Sequence, residues 1–282
     1  MKTTKKKRLY IILSILALLL ALVTVLLLWG NKALMLTELS IEDADLDPAF
    51  EGFRIAHVSD LHNTEFGKDN EKLLDLLENA RPDIIAVTGD LIDSRSTKVD
   101  IAAAFMEKAA RIAPCYYVPG NHEGRVPEEY GNLRERLESA GITVLENESV
   151  TVENDGESFT LIGLCDYGTG AVGLSEALSE LMPKDGGFTL LLSHRPDHFE
   201  KYKKSGADLV LCGHAHGGQV RIPFIGGLVA PGQGLFPEYT EGVYTEETTS
   251  MVVSRGLGNS IIPLRVNNRP ELLCIELTCA DQ

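Results

Sequence analysis

Residues 209–220 read LVLCGHAHGGQV, an apolar run that ends by presenting His214 and His216 with one small residue between them. Asp208 to Cys212 reads as a central strand, and α/β folds place their chemistry just past such strand ends. In extended chain, positions i and i+2 share a side, so the two imidazoles can aim at one point. Gly213, Gly217 and Gly218 would let backbone approach closely. Taken alone, a polar loop with two solvated histidines explains the stretch equally well, because a single HxH is a weak signal.

Four other apolar runs end in similar chemistry. Val58 to His62 closes in D-x-H with Asp60 and His62. Ile85 to Asp93 closes in G-D-x-x-D with Asp90 and Asp93, and Tyr116 to Glu123 in G-N-H-E with Asn121, His122 and Glu123. Leu190 to His194 closes in the lone His194. Five of the chain's seven histidines lie at these ends, which scattered surface histidines would not do. Parallel strands gather such ends along one edge of a sheet.

Desolvated carboxylates are costly unless paired or metal-bound, so this crowd of donors calls for divalent cations. Imidazole, carboxylate and amide oxygen without thiolate suit Mn, Fe, Zn, Co or Ni rather than a closed structural zinc site. Some seven candidate ligands are too many for one ion and fit two that share a carboxylate. Two ions roughly 3.5–4 Å apart are the arrangement that clamps the attacking and leaving oxygens of an in-line displacement.

The elements that must position these residues alternate along the chain. Strands are expected at Leu36–Ile41, Phe53–Ser59, Ile84–Thr88 and Cys115–Pro119, with helices near Asp69–Ala80, Val99–Ala113 and Pro127–Ala140. That alternation argues for a mostly parallel sheet. Beyond Thr143 strands dominate: Ser149–Glu153, Phe159–Leu164, Phe188–Leu192, Leu209–Cys212, Gln219–Ile222, Met251–Ser254 and Leu272–Leu277. A second sheet packed on the first, with helices outside, accommodates them.

The N-terminus is a separate matter. Residues 1–9 form a basic tail with Lys2, Lys5, Lys6, Lys7 and Arg8, and residues 10–29 carry no charge. Twenty such residues suffice to cross a bilayer as a helix, and the basic cluster orients the N-terminus toward the cytoplasm. The length of the apolar stretch, with no clear small-residue cleavage site, favours an uncleaved anchor over a signal peptide. Residues 30–282 are then one domain. Six of the 26 Lys and Arg lie in the first 32 residues, leaving 20 against 41 acidic residues, a net charge near −21. Such a surface is ill suited to tracking a phosphate backbone, so no long nucleic acid is expected as a partner. The five cysteines, Cys115, Cys165, Cys212, Cys274 and Cys279, form no CxxC pair, and four sit in apolar runs as small core residues.

The ordered set D-x-H, G-D-x-x-D, G-N-H-E, H and G-H-x-H resembles the calcineurin-like metallophosphoesterases, over about residues 34–280. GHAHGGQVRIP, Ser254 to Gly258 and Arg269 to Leu272 are similar to the membrane-anchored branch, which includes phosphodiesterase-like enzymes and a UDP-2,3-diacylglucosamine hydrolase. The resemblance implies an α/β fold, a four-layer α/β/β/α sandwich preceded by one N-terminal transmembrane helix. It implies a first metal on Asp60, His62 and His216, a second on Asn121, His194 and His214, and Asp90 bridging both. The two ions would be Mn, Fe or Zn, manganese among them. His122 would be catalytic without being a ligand, as general acid or phosphate contact, and the nucleophile a hydroxide generated at the metals. Ala215 stands where the branch often has Thr; its side chain would point away from the metals.

Weaker expectations attach to six residues outside the ligand set. Asp93 either orients a ligand or caps its loop, and Glu123 supports its neighbouring histidine. Arg255 and Arg269 are candidate contacts to substrate phosphate or sugar. His57 reads as a core or edge histidine, and His198 as the opening of a surface helix. Together these residues describe a membrane-anchored dinuclear metallophosphoesterase acting outside the cytoplasmic membrane of a bacterium. It would cleave a phosphomonoester, phosphodiester or pyrophosphate in a lipid-linked or cell-envelope substrate. The alternatives are a nucleotide or small-phosphodiester phosphodiesterase and a non-catalytic, metal-stabilised scaffold.

Overall fold

Alternate residues of the central strands face two different cores, and that alternation builds the layers. The computed structural model describes residues 2–165, 170–184, 186–259 and 263–280. One six-stranded sheet runs in the order β1 (Met35–Asp43), β16 (Glu271–Cys279), β2 (Arg54–Val58), β3 (Ile84–Thr88), β4 (Cys115–Val118) and β5 (Thr143–Val144). The other runs β14 (Gly242–Glu246), β15 (Thr249–Val253), β9 (Leu209–Cys212), β8 (Thr189–Leu192), β7 (Glu157–Gly163) and β6 (Glu148–Asn154).

Ile55, Ile84, Ala86, Leu190, Leu192, Leu209, Leu211 and Val252 meet between the sheets. On the first sheet's outer face, Ala56, Val58, Ile85 and Val87 pack on α2 (Glu71–Ala80), α3 (Val99–Ala109) and α5 (Pro127–Ser139). On the second, Leu191, Val210, Cys212, Met251 and Val253 pack on α6 (Gly170–Leu181) and α7 (Phe199–Ser205). The result is the α/β/β/α sandwich. Strands buried on both faces carry the continuous apolar runs that parallel sheets require. Cys115, Cys165, Cys212 and Cys274 are buried as expected, and no disulfide joins the five cysteines.

Strand direction positions the site. β2, β3, β4 and β5 run parallel to one another, and β16 runs antiparallel to β2. β1 is parallel to β16, with Met35 opposite Glu271. The chain therefore enters the first sheet at the end where β2, β3 and β4 finish. Before β1, α1 (Lys2–Gly30) includes a stretch, Lys6–Gly30, long and apolar enough to cross a membrane. Its exit is tied down: the Asn31 side-chain amide donates to the Arg265 carbonyl (3.2 Å) and accepts from the Arg265 backbone N–H (2.9 Å). The Arg269 guanidinium donates to the carbonyls of Ala33 and Leu34 and lies 5.1 Å from the Trp29 ring centroid.

Several boundaries differ from expectation. α3 stops at Ala109, four residues early, because Pro114 disfavours helical backbone just before it. The strand expected over Gln219–Ile222 shrinks to β10 (Arg221–Ile222), because Gly217, Gly218 and Gln219 all turn through positive φ. The segment after it forms β11 (Gly226–Gly227), β12 (Val229–Ala230) and β13 (Gly234–Leu235). A short α4 (Asn121–Arg125) carries the G-N-H-E motif.

Phe50, Phe53, Phe159 and Phe188 form an edge-to-face cluster with centroids 4.8–6.0 Å apart, at the strand starts and away from the strand-end motifs. Phe159→Ala should cost about 3–5 kcal/mol in denaturant unfolding. Metal content should stay unchanged; a loss of metal would contradict the separation of the two ends.

Candidate metal centre

Asp60, His62, Asp90, His214 and His216 all have positive φ, between 45° and 65°. The backbone leaves each strand and turns at once through the left-handed region, which costs on the order of 1–3 kcal/mol per non-glycine residue. His214 and His216 are thus not extended, and the i, i+2 argument does not describe them. The turn sends their rings to two neighbouring groups instead of one point.

Asp60, His62 and His216 form the first group, and Asp90, His194 and His214 the second, each with donor atoms within 4.8 Å of one another. All six side chains are buried. His216 Nε2 lies 3.4 Å from Asp60 Oδ1, and His194 Nε2 3.2 Å from Asp90 Oδ2. Asp90 Oδ2 is also 3.6 Å from His62 Nε2, so this carboxylate stands between the groups. Backbone bonds lock the loops together: Asp60 N–H donates to Gly89 O at 3.1 Å and His62 N–H to Asp90 O at 3.0 Å.

The donor pattern fits cations. His194 Nδ1 meets the Thr88 carbonyl at 2.7 Å, and since a carbonyl only accepts, Nδ1 carries the hydrogen. The lone pair on Nε2 then faces the Asp90 carboxylate and, 3.0 Å away, His214 Nδ1. The nearer amide atom of Asn121 is 2.8 Å from that same Nδ1. With nitrogen there the amide hydrogen-bonds the ring; with oxygen there a third acceptor joins the cluster. His62 Nδ1 and Nε2, His214 Nε2 and His216 Nδ1 are buried without a hydrogen-bond partner. Acceptors facing acceptors in a dry site are what a divalent ion satisfies. Burial pushes His216 down to about 3 and His214 well below its usual range, so both imidazoles are neutral donors at pH 7. Burial alone would raise the two aspartates, but His216 and His62 hold Asp60 low, and His194 and His62 hold Asp90 low.

His122 sits beside the cluster, its Nε2 4.0 Å from Asp90 Oδ2. Its Nδ1 accepts the Ser94 backbone N–H at 3.0 Å, which leaves the proton of the neutral ring on Nε2. Burial lowers His122 to about 4. Glu123 is fully buried and accepts from the backbone of Asp90 (2.9 Å), Ile92 (3.2 Å) and Gly120 (2.9 Å), pinning the two loops rather than its histidine. Asp93 caps its loop, accepting from Arg95 N–H at 2.9 Å; its 3.5 Å approach to His122 Nδ1 sets two acceptors side by side and orients no ligand.

Arg255 and Arg269 point elsewhere. Arg255 pairs with Glu241, which also holds Arg221, and Arg269 clamps the segment that follows α1. His57 is a core histidine, its Nε2 2.8 Å from Thr88 Oγ1, and His198 precedes α7 as expected. A cavity of 190 Å³ opens beside the cluster, lined by Asp90, Asn121, His122, His214 and His216 with Arg95, Arg125 and Pro231. Sequence reasoning passed over the two arginines. The signal for Arg125 was its place three residues after His122, which a helix puts on the same face.

The calcineurin-like phosphoesterase family model matches residues 53–218, more than half of the chain. The uncharacterized metallophosphoesterase YkoQ of Bacillus subtilis is 31% identical over 247 residues, covering 86% of this chain and 90% of that protein. The phosphodiesterase YaeI of Escherichia coli is 32% identical over 234 residues, covering 80% and 82%. A bovine transmembrane protein with a metallophosphoesterase domain is 26% identical over 253 residues, covering 83% and 55%. A buried His/Asp cluster at the strand ends of a four-layer sandwich defines a metal-dependent hydrolase of phosphoric esters. The chain belongs to the calcineurin-like phosphoesterase family.

Asp90→Asn weakens both donor groups at once, whereas His216→Ala touches one. Metal analysis should find both ions depleted in the first variant and one retained in the second, with turnover lost in both. Two ions and normal turnover in Asp90→Asn would refute the shared-carboxylate arrangement.

Proposed function

We propose that the chain hydrolyses a phosphoester or pyrophosphate of a lipid-linked or cell-envelope substrate, at the outer surface of the membrane that residues 10–29 cross. Asp60, His62 and His216 would hold one divalent ion, and Asn121, His194 and His214 another, with Asp90 shared. Such ions supply Lewis-acid polarisation of phosphoryl oxygens and lower the pKa of water. The observation that carries the membrane-surface reading is strand direction: β2, β3 and β4 finish at the end of the sheet where the anchor joins. The basic tail before residue 10 favours the outward placement of the domain.

The chain's own residues divide the remaining work. Arg125 and Arg95 bring guanidinium groups to the cavity, where they would bind non-bridging phosphate oxygens. Arg95 is already engaged with Asp93 through a bidentate pair at 2.9 and 2.6 Å, so its charge is partly offset. His122 presents an Nε2–H beside Asp90. Because Ser94 N–H occupies Nδ1, the ring is built to donate a hydrogen bond to a phosphate oxygen. This favours phosphate contact over proton donation, since a neutral imidazole that gives up its only N–H becomes a strongly basic anion.

His122→Ala should therefore keep its metal while kcat/KM falls by roughly 10²–10³, the effect of losing one donor to a transition-state oxyanion. The fall should be similar for substrates with weakly and strongly basic leaving groups. A loss confined to the strongly basic leaving group would restore the general-acid role.

The function itself is tested on the full chain with Mn²⁺. Intact cells expressing it should hydrolyse an added membrane-impermeant aryl phosphodiester, and the Asp90→Asn chain should not. Reconstituted in vesicles, the chain should show a higher kcat/KM for a lipid-linked pyrophosphate in the same bilayer than for the soluble diester. Hydrolysis seen only after permeabilisation would overturn the orientation. A preference for the soluble diester would overturn the membrane-borne substrate.

A further inference from the structure

Two turns after the last histidine motif carry the domain's most exposed apolar side chains. The hairpin joining β10 to β11 ends in Phe224 and Ile225, and Leu235 and Phe236 follow at the end of β13. Phe224 is wholly exposed (109%), and the other three are 62–71% exposed. Outside α1, no other large hydrophobic side chain among the described residues is exposed to that degree. Both phenylalanines also have positive φ, 67° and 53°, a conformation bulky residues avoid. Grouped apolar exposure of this kind marks a surface made to be covered.

What covers it follows from the neighbouring contacts. Val220 bridges to Val266, and Arg221 N–H donates to Val266 O at 3.0 Å. Val266 is next to Arg265, the residue that Asn31 ties to the end of α1. The hairpin thus springs from a strand one neighbour away from the anchor's exit. A crevice of 560 Å³ is lined by Val23, Leu27 and Trp29 of α1 on one side and by Val266 and Asn267 on the other. This face of the domain therefore lies against the last turns of the apolar helix, where the bilayer surface must be.

We propose that Phe224, Ile225, Leu235 and Phe236 insert into the interfacial layer of the same bilayer that α1 crosses, as a second membrane contact. Two contacts fix the rotation of the domain, which one helix leaves free. Pro231, between the two apolar turns, lines the cavity beside His122, and His216 precedes β10 by five residues. Inserting the turns brings the mouth of the cavity to the level of lipid headgroups. The inference rests on the proposed membrane placement but not on the proposed reaction.

The test uses the full chain in proteoliposomes. Trp29 is the only tryptophan and serves as the reference for a residue at the bilayer. In a Trp29→Phe background, Phe224→Trp and, separately, Phe236→Trp introduce probes at the two turns. Ala44→Trp is the control, because Ala44 follows the far end of the nine-residue β1, about 30 Å away at roughly 3.3 Å per residue. Lipids brominated near the headgroup end of the acyl chain should quench both loop probes as strongly as Trp29 and leave the control unquenched. Loop probes that behave like the control would overturn the proposal. Blue-shifted but unquenched probes would also overturn it, since protein and not lipid would then cover the turns. Quenching is read without turnover, so a failed substrate assay beside strong quenching would sink the reaction alone.

Discussion

Two buried carboxylates, Asp60 and Asp90, set the conditions that the surrounding structure has to meet. Each is wholly desolvated, so each needs positive charge or several hydrogen bonds. Backbone supplies part: His122 N–H donates to Asp90 Oδ1 at 2.8 Å, and His214 N–H to Asp60 Oδ2 at 3.0 Å. These bonds require main chain to pass very close to the carboxyl groups. Glycine makes that possible, because a Cβ on Gly120 would strike Asp90 and one on Gly213 would strike Ser59 and Asp60. Gly120 and Gly213 are thus explained by the acids rather than by loop flexibility. The positive φ of five cluster residues is the conformational cost of the same convergence.

Beneath Asp60 the support continues as a directed chain. Ser59 Oγ donates to Asp60 Oδ2 at 2.6 Å, and Thr88 Oγ1 donates to Ser59 Oγ at 2.9 Å. Thr88 must then accept from His57 Nε2, which holds that ring in its Nε2–H form. Burial pushes His57 down to about 3, so it serves as a neutral donor and adds no charge to the cluster. Three residues with no place in the motifs thereby orient one carboxylate. Glu123 does the corresponding work for Asp90, by way of the backbone.

Sequence made the central strands legible because each is a short apolar run closed by a glycine or polar motif; Ile84–Thr88 and Leu209–Cys212 were located to the residue. The convergence of Asp60, His62, Asp90, His194, His214 and His216 was legible too, since parallel strand ends must meet. The geometry of that meeting was not. Alternation in extended chain says nothing about a backbone that turns left-handed immediately after the strand, and so it misassigned why His214 and His216 approach the cluster. The segment from Arg221 to Leu235 was unreadable for a different reason. Its four short strands have almost no periodicity, and they sit where Gly218 and Gly227 pack backbone against backbone. The roles of Arg255 and Arg269 were hidden because a guanidinium that pairs with a carboxylate or clamps carbonyls looks, in sequence, like one that binds phosphate.

The reversed strand β16 connects the apolar helix α1 to the cluster. Had β16 run parallel to β2, then β1, which is parallel to β16, would have started at the end opposite the metal cluster. The nine residues of β1 would then have put the cluster about 30 Å farther from the end of α1. The observed pairing, with Leu273 opposite His57 and Met35 opposite Glu271, keeps Asp60 within a few residues of the level where α1 ends. Arg265 holds this junction from inside: it is buried, donates to the carbonyls of Arg255 (2.9 Å) and Gly258 (2.5 Å), and is bonded through its backbone to Asn31. Burial lowers its pKa to about 10, still well above neutrality, so it remains charged while held almost entirely by carbonyls. Gly258 N–H in turn donates to Asp60 O at 2.6 Å. Three hydrogen-bonded steps, through Arg265 and Gly258, thus lead from the end of α1 to the backbone of Asp60, and the distance between the apolar helix and the cluster is set by that short path.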